Sequence, residues 1–270
     1  MVDNKKKVSV IMGIYNCEKT LVDAIESIFN QSYDNWELIM CDDGSTDNTY
    51  KIAIDYKEKY SDKIIVIKNE KNLGLNKTLN HCLKYATGDY IARMDGDDIS
   101  LPDRFEKEVE FLNLNKEFAI VSGPMIYFNE NGDWGQGTSI TYPKKEDFLV
   151  GTPFCHAPCM VRIEAYKSVN GYSENKKTLR AEDYDLWFRM YELGYKGHNL
   201  SEPIYKMRDD ENAYSRRKFK YAINEAYVRF TGFKRLKLPV TSYVCAFRPI
   251  IVGLLPKPIY MKLHHKNKNS

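Results

Sequence analysis

The chain has no CxxC pair, no GxGxxG, no internal repeat and no run of about 20 apolar residues. Each absence removes a class of protein. Cys17, Cys41, Cys82, Cys155, Cys159 and Cys245 are too scattered for a disulfide framework, which reads as a reducing compartment. A nicotinamide oxidoreductase needs a Gly-rich phosphate loop after its first strand, and Gly13-Ile14-Tyr15-Asn16 supplies none. A sugar-phosphate nucleotidylyltransferase is disfavoured on the same ground. The most apolar stretch, 243–255, is broken by Arg248 and Pro249, so it is too short to span a bilayer yet could lie on one. Nothing after MVDNKKKVSV reads as a cleavable leader. Net charge is also scarce: Lys+Arg of 40 against Asp+Glu of 37 leaves +3, so the chain as a whole is no polyanion binder.

What is present is an ordinary globular composition, 43% hydrophobic and 29% charged, in 270 residues, enough to bury a core without metal or disulfide staples. Short apolar runs at 8–13, 36–41, 64–68 and 90–94 read as strands. Between them Leu21, Ile25, Ile28 and Phe29 repeat at helical spacing, as do Leu75, Leu79 and Leu83, with Ile52, Ile54 and Tyr56 less regular. This alternation predicts an α/β fold with a mostly parallel central sheet flanked by helices. From Ala119 onward extended segments take over, with turns expected at Asn131-Gly132 and 135–137. Helices are expected to open at Glu182 and to run from about Ser215 to Phe230, before a Pro-rich basic tail.

In such a sheet ligands bind beyond the carboxyl ends of the strands, so those loops carry the functional reading. They are Tyr15-Asn16, DDGSTD at 42–47 and DGDD at 95–98. The carboxylates of Asp95, Asp97 and Asp98 would repel one another unless a cation or a donor network neutralised them, and hard cations such as Mn²⁺ or Mg²⁺ suit them. An Asp-rich turn before a helix near Pro102 would also explain them. In DDGSTD, Ser45 or Thr46 could cap a helix and Asp47 could complement its dipole. That leaves Asp42 and Asp43 at the strand end, where a carboxylate can accept from a base N–H or a ribose hydroxyl.

The segments VSVIMGIYN, WELIMCDDGSTD, NLGLNKTLN, GDYIARMDGDDISLPDR and AEDYDLWFR occur in an order that resembles family 2 glycosyltransferases of the inverting GT-A type, over roughly residues 8–200. The resemblance implies a nucleotide-diphosphate sugar donor, a divalent metal and a carboxylate base. It puts Tyr15 against uracil and Asp43, with neighbouring Asp42, on the base N3–H. It places Asn72, Gly74 and Lys77 near the donor, with Asn76 and Asn80 within reach. Asp95 stands near the ribose and metal, and Asp97 is the principal metal ligand. Asp183 of the Glu-Asp pair becomes the general base. Asp185 is expected to pair on the surface with Arg189, four residues on. Glu182, Arg93 and His156 are candidate contacts to diphosphate or acceptor. Gly13 departs from the Pro or Thr usual in the family. A zinc site at Cys155, His156 and Cys159 lacks the expected spacing.

The expected arrangement is a glycosyltransferase domain over 1–230, with a nucleotide half to about 100 and an acceptor half over 101–230, then a tail at 231–270. Within that tail, 247–268 mixes Ile250, Ile251, Leu254 and Leu255 with Arg248, Lys257, Lys262, Lys266 and Lys268, the composition of an anchor for anionic lipid. The expected activity moves a hexose or N-acetylhexosamine from a UDP-sugar to a saccharide or lipid-linked acceptor in surface-polysaccharide synthesis. The expected location is cytoplasmic, at the inner face of the cell membrane, with no nucleic-acid partner. A metal- or carbohydrate-binding module without catalysis is the alternative.

Overall fold

The computed structural model describes residues 5–209 and 218–255. The expected helix start at Ser215 and the tail beyond 255 lie outside the described residues.

Four runs expected as strands form parallel neighbours: β1 (Val8–Ile14), β2 (Trp36–Asp42), β3 (Ile64–Lys68) and β4 (Tyr90–Asp95). Alternate residues serve opposite faces, as the two-residue period of a strand requires. Val8, Val10, Met12 and Ile14 pack into one core cluster, while Ile11 packs into the other. The first face is covered by α1 (Leu21–Phe29), α2 (Thr49–Lys59) and α4 (Arg104–Leu114). The second is covered by α3 (Leu75–Leu83), α5 (Ile163–Ser168), α6 (Glu182–Glu192) and α7 (Phe219–Arg235). Each fully buried Leu or Ile contributes about 1.5–3 kcal/mol to this closure.

Three further strands complete a seven-stranded sheet: β6 (Ile120–Ser122), β9 (Met160–Arg162) and β10 (Gly197–Asn199), in the order β10-β6-β9-β4-β1-β2-β3. Only β9 runs antiparallel, against both β4 and β6. The chain winds outward from β1 to β3 and then crosses back to β4 on the far side of β1. The carboxyl ends of β1 and β4 therefore flank the crevice where sheets of this kind bind ligands.

A second sheet orders β5 (Ile99–Ser100), β11 (Tyr205–Arg208), β7 (Met125–Asn129) and β8 (Gly132–Gln136). The turn expected at Asn131-Gly132 joins β7 to β8, with Gly132 at φ 105. Residues 135 and 136 belong to β8, so no turn opens at 135. The mixed composition of that hairpin hid the strand.

Helix α7 does not stop at Phe230. Phe233 of its last turn, with Leu236, Leu238 and Ala246 beyond it, is buried in the second cluster. A 3-10 helix (Val240–Phe247) leads into α8 (Arg248–Gly253), whose Pro249 is tolerated in the first helical turn, where an N–H would have no partner. No helix among the described residues is long and apolar enough to cross a membrane.

Candidate active site

Strand register sets the positions of the acids. Ile14 of β1 pairs with Asp42 of β2, and Gly13 pairs with Asp95 of β4, so the two carboxylates leave the sheet on either side of β1. Two strand steps separate them, about 10 Å. Gly13 lies close under α3: a Cβ there would approach Leu75 Cδ1 to 3.1 Å and Thr78 Cγ2 to 3.2 Å, so those side chains would have to shift by a few tenths of an ångström.

The Tyr15 loop is tied to the DDGSTD loop. Asn16, in the left-handed region at φ 48, donates its N–H to Ser45 Oγ at 3.0 Å and accepts from Thr46 N at 2.9 Å. Ser45 and Thr46 therefore do not cap α2. Asn48 is the N-cap residue, and Asp47 before it accepts from Thr49 N at 3.0 Å and from Glu18 N at 3.2 Å. The tie leaves the Tyr15 ring 47% exposed beside the crevice, presented as a flat surface on which a base can stack.

Asp42 is fully buried, its two oxygens 3.3 Å from Ser45 N. Asp43 accepts from Asn69 Nδ2 at 2.9 Å, Leu73 N at 2.8 Å and Gly74 N at 2.9 Å. The amides of the 72–74 turn thus point inward to Asp43 rather than toward a donor diphosphate, and Asp43 holds the turn that begins α3. Asn72 and Lys77 are exposed nearby. Asn76 through its nitrogen, and Asn80 through both amide atoms, are engaged within the protein. Asn76 Nδ2 donates to Ser173 O at 2.7 Å, and Asn80 brackets Tyr172 through its O at 2.9 Å and its N at 2.8 Å. They fasten the loop that leads to α6.

Asp95, Asp97 and Asp98 offer carboxylate oxygens that all lie within 4.8 Å of one another, the only such group of possible metal-holding side chains among the described residues. The Cys155, His156 and Cys159 trio forms no such group, which removes the zinc reading for the described residues. Asp98 is 2% exposed, and burial followed by the charges of Asp95 and Asp97 pushes its carboxyl well above the usual range. Three crowded carboxylates with no soft donor fit a hard divalent cation, which would relieve that repulsion.

The loop is buttressed by β11, a contribution the sequence did not reveal. Arg208 N donates to Asp98 Oδ1 at 2.8 Å, Arg208 Nε to Asp97 O at 3.1 Å, and Asp95 N to the Tyr205 hydroxyl at 3.2 Å. The side-chain alternation of Tyr205, Met207 and Arg208 is too short to flag this role.

Arg93, 5% exposed, forms an ion pair with Asp95. Burial alone would lower its pKa, but Asp95, then Tyr205, Tyr172 and Asp98, reverse that and raise it, so the guanidinium stays charged. It also acts on Asp183, whose carboxyl is pushed up to about 6, first by burial and then by Glu182 beside it, with Arg93 pulling the other way. Glu182 is raised as well, by burial, and its Oε2 has no hydrogen-bond partner. Arg93 therefore links the aspartate triplet electrostatically to the start of α6.

His156 packs edge-on against Trp187 of α6, and its Nε2 is 2.8 Å from the Tyr172 hydroxyl, which meets Tyr166 at 2.9 Å. Burial and then Arg93 hold it neutral, well below the ordinary histidine pKa. Its Nε2 is thus engaged within the protein. The expected surface pair is also internal: Arg189 Nε meets Asp185 Oδ2 at 2.7 Å, with side chains only 15% and 12% exposed. Arg189 Nη1 binds the carbonyls of Val169 and Gly171, so the pair anchors the 169–171 turn to α6.

A cleft of about 490 Å³ opens at the triplet, lined on one side by Asp95, Asp97 and Asp98 and on the other by α7 and α8. Arg180 enters it three residues before Asp183, in the left-handed region at φ 67, with its guanidinium over Tyr221. Sequence reading passed over Arg180 because no motif marks it. Non-glycine residues in that conformation cost of order 1 kcal/mol and gather at functional sites.

A crevice at the carboxyl ends of β1 and β4, an aspartate triplet suited to a dication and a carboxylate of raised pKa make up a candidate glycosyl-transfer site. The chain matches Glycosyl transferase family 2 over residues 9–169 and Glycosyl transferase family group 2 over 90–263. It belongs to glycosyltransferase family 2 and is a transferase. It is 48% identical over 260 residues, 96% of this chain and 94% of the relative, to the putative glycosyltransferase EpsE of Bacillus subtilis (strain 168). It is 31% identical over 249 residues, 92% of this chain and 94% of the relative, to an Escherichia coli protein described as UDP-Glc:alpha-D-GlcNAc-diphosphoundecaprenol beta-1,3-glucosyltransferase WfaP. The crystal structure of S. aureus TarS 1-349 in complex with UDP-GlcNAc superposes with a TM-score of 0.70 at 20% identity, covering 92% of this chain and 72% of that one. That likeness establishes the fold.

Proposed function

We propose that the chain transfers a hexose or N-acetylhexosamine from a UDP-sugar to a hydroxyl of a saccharide or lipid-linked acceptor, with inversion, in surface-polysaccharide synthesis. The observation that carries this reading is the aspartate triplet at the mouth of the cleft, with Arg93 ion-paired to Asp95; the charge of Arg93 is also felt by the Asp183 carboxyl, which burial pushes up to about 6. The relatives named above support the donor and acceptor classes.

Tyr15 offers its ring to the base and Asp42 and Asp43 fix the loops around it. Asp95 and Asp97 would hold Mn²⁺ or Mg²⁺, with Asp98 beneath them. When bound, the metal supplies positive charge to the diphosphate. Arg180 faces the same space and adds a cation on the opposite wall.

The acceptor hydroxyl is a weak nucleophile at neutral pH, so its proton must leave as the new bond forms. Asp183 takes it. With a pKa of about 6 the carboxylate is about nine-tenths ionised at pH 7 and is a stronger base than an ordinary aspartate. Attack from the Asp183 side, opposite the departing diphosphate, inverts the anomeric carbon, so an α-linked donor gives a β-glycoside.

Incubating the purified chain with a panel of UDP-sugars, Mn²⁺ or Mg²⁺ and saccharide or lipid-linked acceptors tests this. UDP release that requires metal and is raised by one donor and one acceptor is the expected result. No release with any pair, together with no metal-dependent UDP binding in calorimetry, would overturn it.

A further inference from the structure

Half of the exposed large apolar side chains among the described residues, nine of eighteen, fall within residues 219–254. They form two stripes. Phe219, Ile223, Tyr227 and Phe230 follow one face of α7 at spacings of four, four and three, 37–49% exposed. Val240, Val244, Phe247, Ile251 and Leu254 follow the 3-10 helix and α8 at spacings of four, three, four and three, 51–79% exposed. The second segment returns along the first: Gly253 lies against Ala222 and Phe219, and Tyr243 meets Phe230 edge-on with centroids 5.4 Å apart. The other sides of this helix pair are spoken for, since Ala226, Val228, Phe233 and Ala246 are buried and Tyr221, Pro249 and Val252 line the cleft, whose wall Phe219 shares at the end of its stripe.

Charge divides the chain at the same place. Residues 218–270 hold eleven Lys and Arg and one acid, Glu225, giving +10, while residues 1–217 carry −7. Glu225 is itself bound by Arg229, Arg235 pairs with Glu192 of α6, and Lys257, Lys262, Lys266 and Lys268 lie outside the described residues, which leaves Lys218, Lys220, Lys234, Lys237 and Arg248 exposed on or beside the described helices. An exposed apolar face inside a field of one sign is the signature of a surface that lies on an anionic bilayer interface, where the apolar side chains enter the acyl boundary and the lysines meet headgroup phosphates. A copy of the same face would bring two strongly positive surfaces together, which disfavours self-association.

We infer that α7 and the 240–254 helix pair form a docking face for anionic lipid, so that the bilayer lies at the mouth of the cleft those helices wall. The expected tail at 247–268 covered only one end of this surface; the face begins at Phe219.

Co-sedimentation of the full chain with vesicles of phosphatidylcholine alone, and of phosphatidylcholine with about 30 mol% phosphatidylglycerol, tests this. Binding at least about tenfold tighter to the anionic vesicles, weakening with salt, is expected. A Val244→Asp/Ile251→Asp variant should lose about tenfold or more in that binding while still binding UDP in calorimetry. Lys220→Gln/Lys237→Gln should weaken it without touching the apolar stripe. Equal binding to both vesicles, no binding, or a double aspartate variant that still binds overturns the inference. So does a stable dimer in size exclusion that the aspartate variant dissociates, because a second copy then covers the face. The assay needs neither donor nor acceptor, so its outcome is independent of the proposed reaction.

Discussion

Replacing Asp183 with asparagine (Asp183→Asn) should abolish transfer and stabilise the protein at the same time. Loss of a general base costs about 10²–10⁴ in rate, so kcat for the variant should fall at least about a hundredfold while KM for the donor changes little. Burial and Glu182 raise the Asp183 carboxyl from 3.8 to about 6. A carboxyl that holds its proton more tightly in the folded chain makes stability fall as pH rises from about 4 to about 6, and the deficit persists above that window. Two units correspond to about 3 kcal/mol, an upper figure that the neutral amide recovers at pH 7.5. A thermal melt should therefore show the Asp183→Asn variant above the wild type by several degrees, at roughly 2–4 °C per kcal/mol. At pH 4 that advantage should vanish. In the wild type, kcat/KM should drop about tenfold between pH 7 and pH 5, whereas an ordinary aspartate would keep the rate flat to about pH 5. A variant within tenfold of wild-type kcat, or one melting well below the wild type at pH 7.5, would refute the reasoning.

Arg93→Met removes the cation that opposes the Asp183 shift, so the acidic limb of the pH–rate profile should move above pH 6. A limb that stays at 6 would show that Arg93 does not act on the base. Gly44 stands at φ +77 with a Cβ position 2.9 Å from the backbone of Lys71 and Asn72; Gly44→Ala should cost about 1–3 kcal/mol in urea unfolding and raise KM for the donor by displacing the turn that Asp43 holds. Asp97→Asn should weaken Mn²⁺-dependent UDP binding at least about tenfold in calorimetry while leaving the melting temperature near wild type, since Asp97 is only partly buried.

The strands were legible because each is a short apolar run ending at a loop of unusual chemistry, and β1 to β4 appear within one residue of their expected ends. What the sequence could not supply was direction. Asn76, Asn80 and the Leu73 and Gly74 amides sit where a donor contact is expected, and only three dimensions reveal that Ser173 takes Asn76 Nδ2, Tyr172 takes Asn80 and Asp43 takes the two amides. A polar side chain beside a ligand crevice has two ways to be satisfied, by ligand or by neighbouring backbone, and spacing along the chain does not distinguish them. Asp185 was misplaced for a related reason, because an i,i+4 pair reads the same on a wet or a packed helix face.

The residues that link the two halves of the site were the hardest to foresee. Tyr205 and Arg208 reach the DGDD loop from more than a hundred residues away, through β11 pairing with β5. Their hydrogen bonds fix the Asp98 carboxylate and the backbone of Asp95 and Asp97, so the loop that carries the three carboxylates is held in place. The Asp98 carboxyl is raised first by burial and then by Asp95 and Asp97, with the Arg208 N–H pulling the other way. A loop with that preorganised charge gains more from a dication than a flexible acidic turn would, because the carboxylates do not have to be gathered when the cation arrives. The contribution of β11 to holding a cation would therefore be made in advance, through the hydrogen bonds of Tyr205 and Arg208 that set the loop before any cation arrives.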